Sequence, residues 1–468
     1  MGIRTTEVVH EEVKTINDDL DSVVVEAKPD ETVDMSKMKA LRERLAGMQA
    51  EANEPTEKIT KEEKKMVQKV VKKKSIKLGI VGSGQAGSRL AETFYELGYE
   101  AVALNTAKQD LEQIKLPEVN KLFLDYSIGG ASKDRGIGAS AAELHKDSIY
   151  DLIKDKLGDS QVFVFCTSLG GGSGSGSIET VLSVLSIMEK PIVVITVLPM
   201  MNEDAQTKSN ALEALSDLSK MVQNKTIHNL IVADNTKIEA IYHDVNLLDF
   251  YEVSNKAIVE PLDVFNTYSA MSSKVKSLDG MELLKILIDG EGLSLYGCMD
   301  VYEYEEDVAI ASALITNLSS GLLASGFDLK QTKYAGVIIL ANSGVWARIP
   351  SSSINYALSI LQETAGCPAG VFRGIYETEN IKEDVVKVYS FFSGLALPDA
   401  RVEELKKEVA AQKSVIKEKG ANRNMNLNID TGATETVSAV ENIKKKIEKK
   451  SSMFGKFTNQ TVIDKRKK

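Results

Sequence analysis

Short apolar runs alternate with amphipathic stretches between residues 76 and 235. The apolar residues of each run are consecutive, as is typical of parallel strands that are covered on both faces. The runs are Ile76–Val81, Ala101–Leu104, Lys121–Leu124, Val162–Phe165, Ile192–Ile195 and Leu230–Val232. Apolar residues recur at helical spacing over Ser88–Leu97, Ser140–Leu157, Ile178–Met188 and Ala205–Val222. This alternation predicts an α/β fold built on a doubly wound parallel sheet.

A different pattern follows the predicted parallel sheet. A long helical stretch, Leu248–Val275, leads into a smaller α+β domain, and a charged helical run over Arg401–Lys417 comes after it. The strands predicted in the second domain are Gly336–Leu340, Ala369–Phe372 and Val386–Ser390, and its helices are Ala309–Ser319 and Ser351–Glu363. We therefore divide the chain into an extension, a first domain, a central helix, a second domain, a C-terminal helix and a flexible tail. Their predicted bounds are 1–75, 76–247, 248–276, 277–397, 398–419 and 420–468.

Both ends of the chain differ in composition from the middle. Residues 1–75 are rich in Glu, Asp and Lys and contain no Phe, Tyr or Trp. Helical spacing of apolar residues predicts one amphipathic helix there, through Met35, Met38, Leu41, Leu45 and Met48. Two interpretations stand: a loosely docked extension, and an arm that contacts a neighbouring subunit. At the other end, Lys444–Lys468 is strongly basic.

Composition excludes several classes of protein. The 468 residues carry a net charge of −10, which argues against a general nucleic-acid coat. The three cysteines are far apart, so neither a disulfide framework nor a zinc ribbon is expected, and a reducing compartment fits. The four histidines show no metalloprotease spacing. No apolar run reaches the ~18 residues of a membrane span, and residues 1–9 lack the apolar core of a signal peptide. A cytoplasmic protein is expected.

Two glycine-rich loops follow predicted strands. The first, Gly82–Gly87, fits the GxGxxG pattern, which lets backbone N–H groups approach phosphates at a helix N-terminus. A dinucleotide enzyme needs an acid about 20 residues later, at the end of the second strand. Asn105 stands there instead, so the dinucleotide pattern is incomplete. A tight strand-to-helix turn without a ligand is the alternative interpretation of this loop.

The second loop, Leu169–Ser177, has five glycines in the seven positions from 170 to 176. Glycines without Cβ atoms let a chain wrap closely around an anion. A flexible linker has a similar composition but does not lie between a buried strand and an apolar helix. A third loop, Gly129–Gly138, offers Lys133 or Arg135 to a terminal phosphate, with solvated charges as the alternative. These loops predict one di- or triphosphate at the carboxyl ends of the strands.

The run Gly170–Gly176 resembles the GGG[ST]G[ST]G motif of the tubulin and FtsZ superfamily, and the other loops follow in the order of that family. The resemblance implies GTP or GDP with Mg²⁺ as the cofactors. It implies phosphate contacts at Gly84, Gln85, Ala86, Ser88, Asn105, Gly129, Gly130, Gly170, Gly171, Gly172, Ser173, Gly174 and Ser175. It also implies that Glu203 holds the ribose and that Asn235 and Asn255 bind guanine, as amides are able to do.

Asp279 and Glu282 are the candidate catalytic residues. Their spacing places both on one side of a helix start, where Asp279 is also a good N-cap with Glu282 at the third position. The resemblance implies that these acids position the attacking water in the nucleotide site of the next subunit. Ser277 stands where the family has Asn. Capping and catalysis are compatible.

The resemblance therefore implies a GTPase that self-assembles into filaments. Within the superfamily, the chain most resembles TubZ-like proteins of plasmids and phages, in which a basic tail binds an adaptor on a DNA site. The predicted partners are thus further copies of the chain and a DNA-binding adaptor, held by Lys444–Lys468. Three alternatives stay open: an FtsZ-like division protein, a polymer with little hydrolysis, and an NAD-dependent enzyme.

Overall fold

A computed structural model describes residues 73–306, 308–320, 326–367 and 371–421. Within these ranges ten strands form one sheet, in the order β3-β2-β1-β4-β5-β6-β7-β10-β8-β9. The strands are β1 (Leu78–Ser83), β2 (Glu100–Asn105), β3 (Lys121–Phe123), β4 (Val162–Ser168), β5 (Ile192–Leu198), β6 (Asn229–Asp234), β7 (Gly292–Val301), β8 (Tyr334–Ala341), β9 (Val371–Glu377) and β10 (Val386–Leu395). Most of the predicted charged extension and tail lies outside the described residues.

Strands β1 to β6 are mutually parallel, as the consecutive apolar runs predicted. Every residue of β1, β5 and β6 is buried, so both faces of this half of the sheet are covered. The connecting helices are α1 (Gly84–Glu96), α2 (Lys108–Glu112), α3 (Arg135–Leu144), α4 (Lys146–Leu157), α5 (Ser173–Gly176), α6 (Ile178–Ile187), α7 (Ala205–Gln223) and α8 (Asn235–Ile241). All the strand-to-helix loops of a parallel sheet lie at its carboxyl edge.

Two predicted helices differ in the structure. The stretch Ser140–Leu157 is two helices, since the chain breaks at His145, which ends α3 and precedes α4. The central helix α9 is Leu247–Tyr268 and stops short of Val275. Beyond it, the Ser273 hydroxyl accepts the backbone N–H groups of Val275 (3.0 Å) and Lys276. Such local side-chain bonds compete with helical backbone bonds, so the helix does not continue through Val275.

The rest of the sheet is mainly antiparallel. Strand β10 pairs antiparallel with β7 and β8, and β9 lies parallel to β8 at the edge. Strand β7 was absent from the sequence prediction. The strand predicted over Ala369–Phe372 is β9, which begins at Val371 and extends to Glu377. Ala369 itself lies outside the described residues. The remaining helices are α10 (Gly280–Leu284), α11 (Ala309–Ser320), α12 (Ser343–Trp346), α13 (Ser351–Ala365) and α14 (Asp399–Ala421), with a π-helical turn over Lys285–Asp289 after α10.

Strands β6 and β7 join the two halves through three residue pairs, Asn229–Ile231 with Gly292–Ser294. Two further bonds strengthen this junction: Asn229 donates to the Leu287 carbonyl (2.9 Å) and Tyr296 donates to the Ile258 carbonyl of α9 (2.7 Å). The predicted α/β class is thus present, as one mixed sheet. The division at residues 247 and 277 stays a prediction. Within the described part, no helix has the length and apolar character to cross a membrane.

Candidate functional site

A cavity of about 370 Å³ lies at the carboxyl ends of the parallel strands. Loops that follow β1, β2, β3, β4, β5 and β6 contribute to its wall, so every predicted loop converges on it. The lining residues are Gly84, Gln85, Ala86, Asn105, Ala107, Asp110, Gly129, Ala131, Ser132, Lys133, Ser168, Gly170, Gly171, Gly172, Ser173, Gly174, Val197, Leu198, Pro199, Glu203, Thr207, Asn235 and Tyr251.

Twelve of the sixteen residues predicted to bind nucleotide line this cavity. The exceptions are Ser88, Gly130, Ser175 and Asn255. Ser88 is fully buried within α1, and the Ser175 hydroxyl donates to the Gly171 carbonyl of its own loop. Neither residue lines the cavity, so nucleotide contacts from these two positions stay predictions.

Close backbone packing explains the glycines of the first loop. Gly84 begins α1 with a φ of +71°, and a Cβ there would lie 2.8 Å from the Gly174 nitrogen of the second loop. The two loops therefore touch through backbone here, and the Ser83 and Ser177 hydroxyls join them by a buried hydrogen bond (2.6 Å). The first N–H groups of α1 have no helical partners, and they open toward the cavity that Gly84, Gln85 and Ala86 line. This end of the cavity suits a negatively charged group.

The second loop is a single helical turn, α5, that leads into α6. A Cβ on Gly172 would lie 2.8 Å from both the Ala131 Cβ and the Asp134 nitrogen, so the second and third loops also touch. The Asn210 amide ties them together by donating to the carbonyls of Lys133 (2.8 Å) and Gly170 (3.0 Å). Asn210 is a supporting residue that sequence reasoning missed, because nothing in the local pattern of α7 distinguishes it.

The two basic residues of the third loop have different surroundings. Lys133 lines the cavity and forms an ion pair with Asp204. The hydrogen bond from Lys133 lowers the pKa of the Asp204 carboxyl to about 2. Arg135 instead contacts Glu213 (3.2 Å) and Asp217 (3.0 Å) on α7. Of the two candidates for a terminal phosphate, Lys133 is therefore the one at the cavity.

Asn105 has an unsatisfied donor at the cavity. Its Oδ1 accepts the Ala107 N–H (3.1 Å), while its Nδ2 is buried and has no hydrogen-bond partner among the residues that the structure describes. The residue is 1% exposed and lines the cavity. A buried amide donor without a partner costs free energy, so this position favours a bound acceptor such as a phosphate or ribose oxygen.

The opposite wall suits a nucleoside. Glu203 accepts the Met200 N–H (3.0 Å), which holds its carboxylate at the rim. Asn235 is the first residue of α8, directly after its N-cap Asp234. Tyr251 also lines the cavity, and sequence reasoning missed it. Asn255 lies one helical turn further along α9, on the same side as Tyr251 but outside the lining.

Asp279 and Glu282 do not line the cavity of their own chain. They form a capping box at the start of α10: Glu282 N–H donates to Asp279 Oδ1 (2.8 Å) and Asp279 N–H donates to Glu282 Oε2 (3.0 Å). Tyr376 of β9 fixes the neighbouring backbone through the Leu278 N–H (3.0 Å). The capping interpretation is thus present in the structure, and Asp279 is exposed to solvent.

Residues 63–243 match the model of the "Tubulin/FtsZ family, GTPase domain". Over these residues the chain matches a GTPase domain of the tubulin/FtsZ family. The family resemblance predicted from the glycine loops is therefore confirmed. The match ends near the start of α9 and so contains every strand of the parallel half of the sheet.

Curated relatives extend the likeness. A "Tubulin-like protein CetZ" of Pyrococcus horikoshii is 29% identical over 189 residues, which are 39% of this chain and 50% of the relative. The chain thus spans about half the length of the CetZ relatives that it matches. A "Tubulin-like protein TubZ" of Bacillus cereus is 22% identical over 364 residues, 72% of this chain and 82% of the relative.

Solved structures of this fold superpose on most of the chain. A GTPγS-form protofilament of TubZ from Bacillus thuringiensis serovar israelensis gives a TM-score of 0.67 at 19% identity, covering 78% of this chain and 99% of that one. A GTPγS-bound protofilament of CetZ2 from Haloferax volcanii gives 0.59 at 19% identity, covering 74% and 100%. At these identities the likeness shows the fold, and it confirms the predicted tubulin/FtsZ-like architecture.

Proposed function

We propose that this protein binds and hydrolyses GTP and assembles into filaments of identical subunits. The observation that carries the proposal is the cavity in which all the strand-end loops of a tubulin/FtsZ-family domain converge. Its backbone-rich end suits phosphates, and the wall with Glu203, Asn235 and Tyr251 suits a nucleoside. An NAD-dependent enzyme is disfavoured by Asn105 in place of an acid and by the second glycine loop.

Backbone N–H groups do most of the phosphate binding in this proposal. The first turn of α1 and the second glycine loop surround the phosphates, Asn105 Nδ2 donates to an oxygen, and Lys133 balances charge. Phosphoryl transfer depends mainly on such positioning and charge neutralisation.

Mg²⁺ fits the site as a companion of the nucleotide. Among the described residues no group of three or more His, Cys, Asp and Glu side chains is placed to hold a metal. Asp110 and Glu203 are the carboxylates in the lining. This donor set suits an ion held mainly by phosphate oxygens and water, and the ion would neutralise phosphate charge.

Hydrolysis requires a second subunit in this proposal. Asp279 and Glu282 are absent from the cavity of their own chain, but the exposed start of α10 is free to meet the cavity of another copy. There the Glu282 carboxylate would accept a proton from the attacking water while Asp279 orients it. The titles of the superposed TubZ and CetZ2 structures describe protofilaments, which supports an end-to-end contact.

Light scattering with phosphate release tests assembly and hydrolysis together. The full chain is mixed with Mg²⁺ and GTP, GDP or ATP over a range of protein concentrations. We expect scattering with GTP alone, and a hydrolysis rate per subunit that rises steeply with concentration. Hydrolysis at a constant rate per subunit would refute a site shared between subunits. No preference for GTP would refute the nucleotide assignment.

We further propose that the filament positions DNA through an adaptor bound by Lys444–Lys468. The support is the basic composition of that segment and the TubZ likeness over 72% of the chain. A chain lacking residues 444–468 should still polymerise but lose binding to an adaptor–DNA complex. Undiminished binding would refute the role of the tail. Direct DNA binding would instead show a steep salt dependence without any adaptor. A division role like that of FtsZ is the alternative.

A further inference from the structure

Helix α14 docks beside the nucleoside wall through a buried ion pair. Arg401 Nε donates to Asp234 Oδ2 at 2.7 Å, and the two side chains are 5% and 2% exposed. Arg401 Nη1 also contacts Glu404 of its own helix (3.0 Å). A buried pair of this kind is sensitive to the loss of either partner, because the remaining charge stays without compensation.

Asp234 lies directly before Asn235, the residue that lines the cavity at the start of α8. Its two carboxylate oxygens have different partners. Oδ1 accepts the Thr236 N–H (3.0 Å) as the N-cap of α8, and Oδ2 accepts from Arg401. The carboxylate cannot rotate without losing one of these bonds. Arg401 and Thr236 therefore hold the backbone on both sides of Asn235.

The same helix also reaches the Glu203 side of the cavity. Gln412 Nε2 donates to the Glu203 carbonyl (3.1 Å). Glu408 forms an ion pair with Lys208 of α7 (2.9 Å), and the Lys208 side chain is almost fully buried. Helix α14 thus contacts both of the loops that would hold the ribose and the base, although none of its residues lines the cavity.

We propose that Arg401 is a positioning residue for base selectivity: through Asp234 it holds Asn235 where its amide distinguishes guanine from adenine. This inference rests on the proposed binding of a guanine nucleotide. An Asn amide pairs with the N1–H, N2–H and O6 edge of guanine, whereas adenine presents a reversed pattern. Discrimination of this type depends on a fixed amide, since a side chain that is free to turn can satisfy either base.

The test is the ratio of the dissociation constants for ADP and GDP, measured on the full chain by competition with a fluorescent GDP analogue. A loss of folded protein weakens both nucleotides equally and leaves this ratio unchanged. A ratio therefore separates positioning from a general loss of stability. We expect Arg401→Met to lower the ratio by about tenfold, which is the discrimination that one correctly placed hydrogen bond supplies.

Lys406→Met is the matched control on the same helix. Lys406 pairs with Glu403 of its own helix (2.7 Å), and both side chains are more than half exposed. The ratio of dissociation constants for this variant should therefore stay at the wild-type value. Arg401→Lys keeps a charge near Asp234 without the planar guanidinium and should give an intermediate ratio. It also serves if Arg401→Met does not fold.

The outcomes separate the two proposals. Wild-type protein that binds ADP as tightly as GDP would overturn the proposed function itself. Wild-type protein that prefers GDP, together with an Arg401→Lys or Arg401→Met variant of unchanged ratio, would overturn only the positioning role. An equal drop in Lys406→Met would also overturn it, because the effect would then belong to the helix as a whole.

Discussion

Glu282→Gln separates the capping role that Glu282 has in this structure from its proposed catalytic role. The glutamine keeps a side-chain oxygen for the Asp279 N–H, which Glu282 Oε2 accepts at 3.0 Å. It removes only the charge, which is worth about 0.3–1 kcal/mol at a helix N-terminus. Glu282→Ala removes the acceptor as well, and a lost cap costs about 1 kcal/mol more. Both variants should therefore fold.

Hydrolysis should respond very differently. If Glu282 accepts a proton from the attacking water, its amide cannot, and loss of a general base costs about 10²–10⁴-fold in rate. That range corresponds to about 2.7–5.4 kcal/mol of transition-state free energy. The catalytic effect is thus several times larger than the capping effect. Filaments of Glu282→Gln should form with GTP and persist far longer than wild-type filaments.

The assay is phosphate release per subunit at saturating GTP, with light scattering for polymer mass and urea unfolding for stability. Asp328→Asn is the matched control, since Asp328 caps the short turn Leu329–Gln331 by accepting the Lys330 N–H (3.1 Å). It makes the same carboxylate-to-amide change at another cap and should hydrolyse GTP normally. A wild-type rate in Glu282→Gln, with a slow rate only in Glu282→Ala, would show that Glu282 acts through the cap alone.

Three further predictions concern the loops and thiols. Gly172→Ala places a Cβ 2.8 Å from Ala131 and Asp134, and it should lower the free energy of unfolding in urea by about 1–3 kcal/mol. Gly171→Ala is the control: its Cβ would lie 3.6 Å from its nearest neighbour, so the loss should be much smaller. Equal losses would contradict the loop packing. The depressed pKa of Asp204, about 2, means that its ion pair with Lys133 adds stability above pH ~4 and loses it as the pH falls toward 2. Because both side chains are half exposed, Asp204→Asn should lower stability at pH 6 by less than about 1 kcal/mol. The loss should be clearly smaller near pH 2, where the carboxyl is about half protonated; an equal loss at both pH values would contradict the pairing. Burial raises the pKa of the Cys367 thiol to about 11 and that of Cys166 further, so mass spectrometry should find neither alkylated by iodoacetamide at pH 8 before unfolding.

The sequence predicted the features that depend on residues close together along the chain. At Gly84 and Gly172 a Cβ would lie within 3 Å of a neighbouring loop, so these positions require glycine. The glycine-rich composition therefore identifies the loops in the sequence. Strand β7 was missed because burial is incomplete from Cys298 to Asp300 and Asp300 interrupts the apolar run. The break at His145 was missed because apolar spacing continues through it.

Contacts between distant residues could not be predicted. Arg401 and Asp234 are 167 residues apart, and each alone is an ordinary charged residue of a helix or strand end. Tyr251 reaches the cavity only because α9 crosses beside it. The sequence predicted Asp279 and Glu282 both as a cap and, by resemblance, as catalytic residues. The structure shows the cap, and their contact with a second subunit stays a prediction.

The narrow β6–β7 junction has a mechanical consequence. In the proposed filament, tension enters a subunit at the loops of the parallel half and leaves at α10, which Tyr376 anchors to the antiparallel half. Between the strands this junction offers three residue pairs, whereas β5–β6 has six and β7–β10 has nine. The bonds of Asn229 and Tyr296 share the load with them. Under a pulling force we therefore expect each subunit to stretch at this junction before either half unfolds. The extensions of successive subunits would add along a filament, so the filament would stretch along its axis under load.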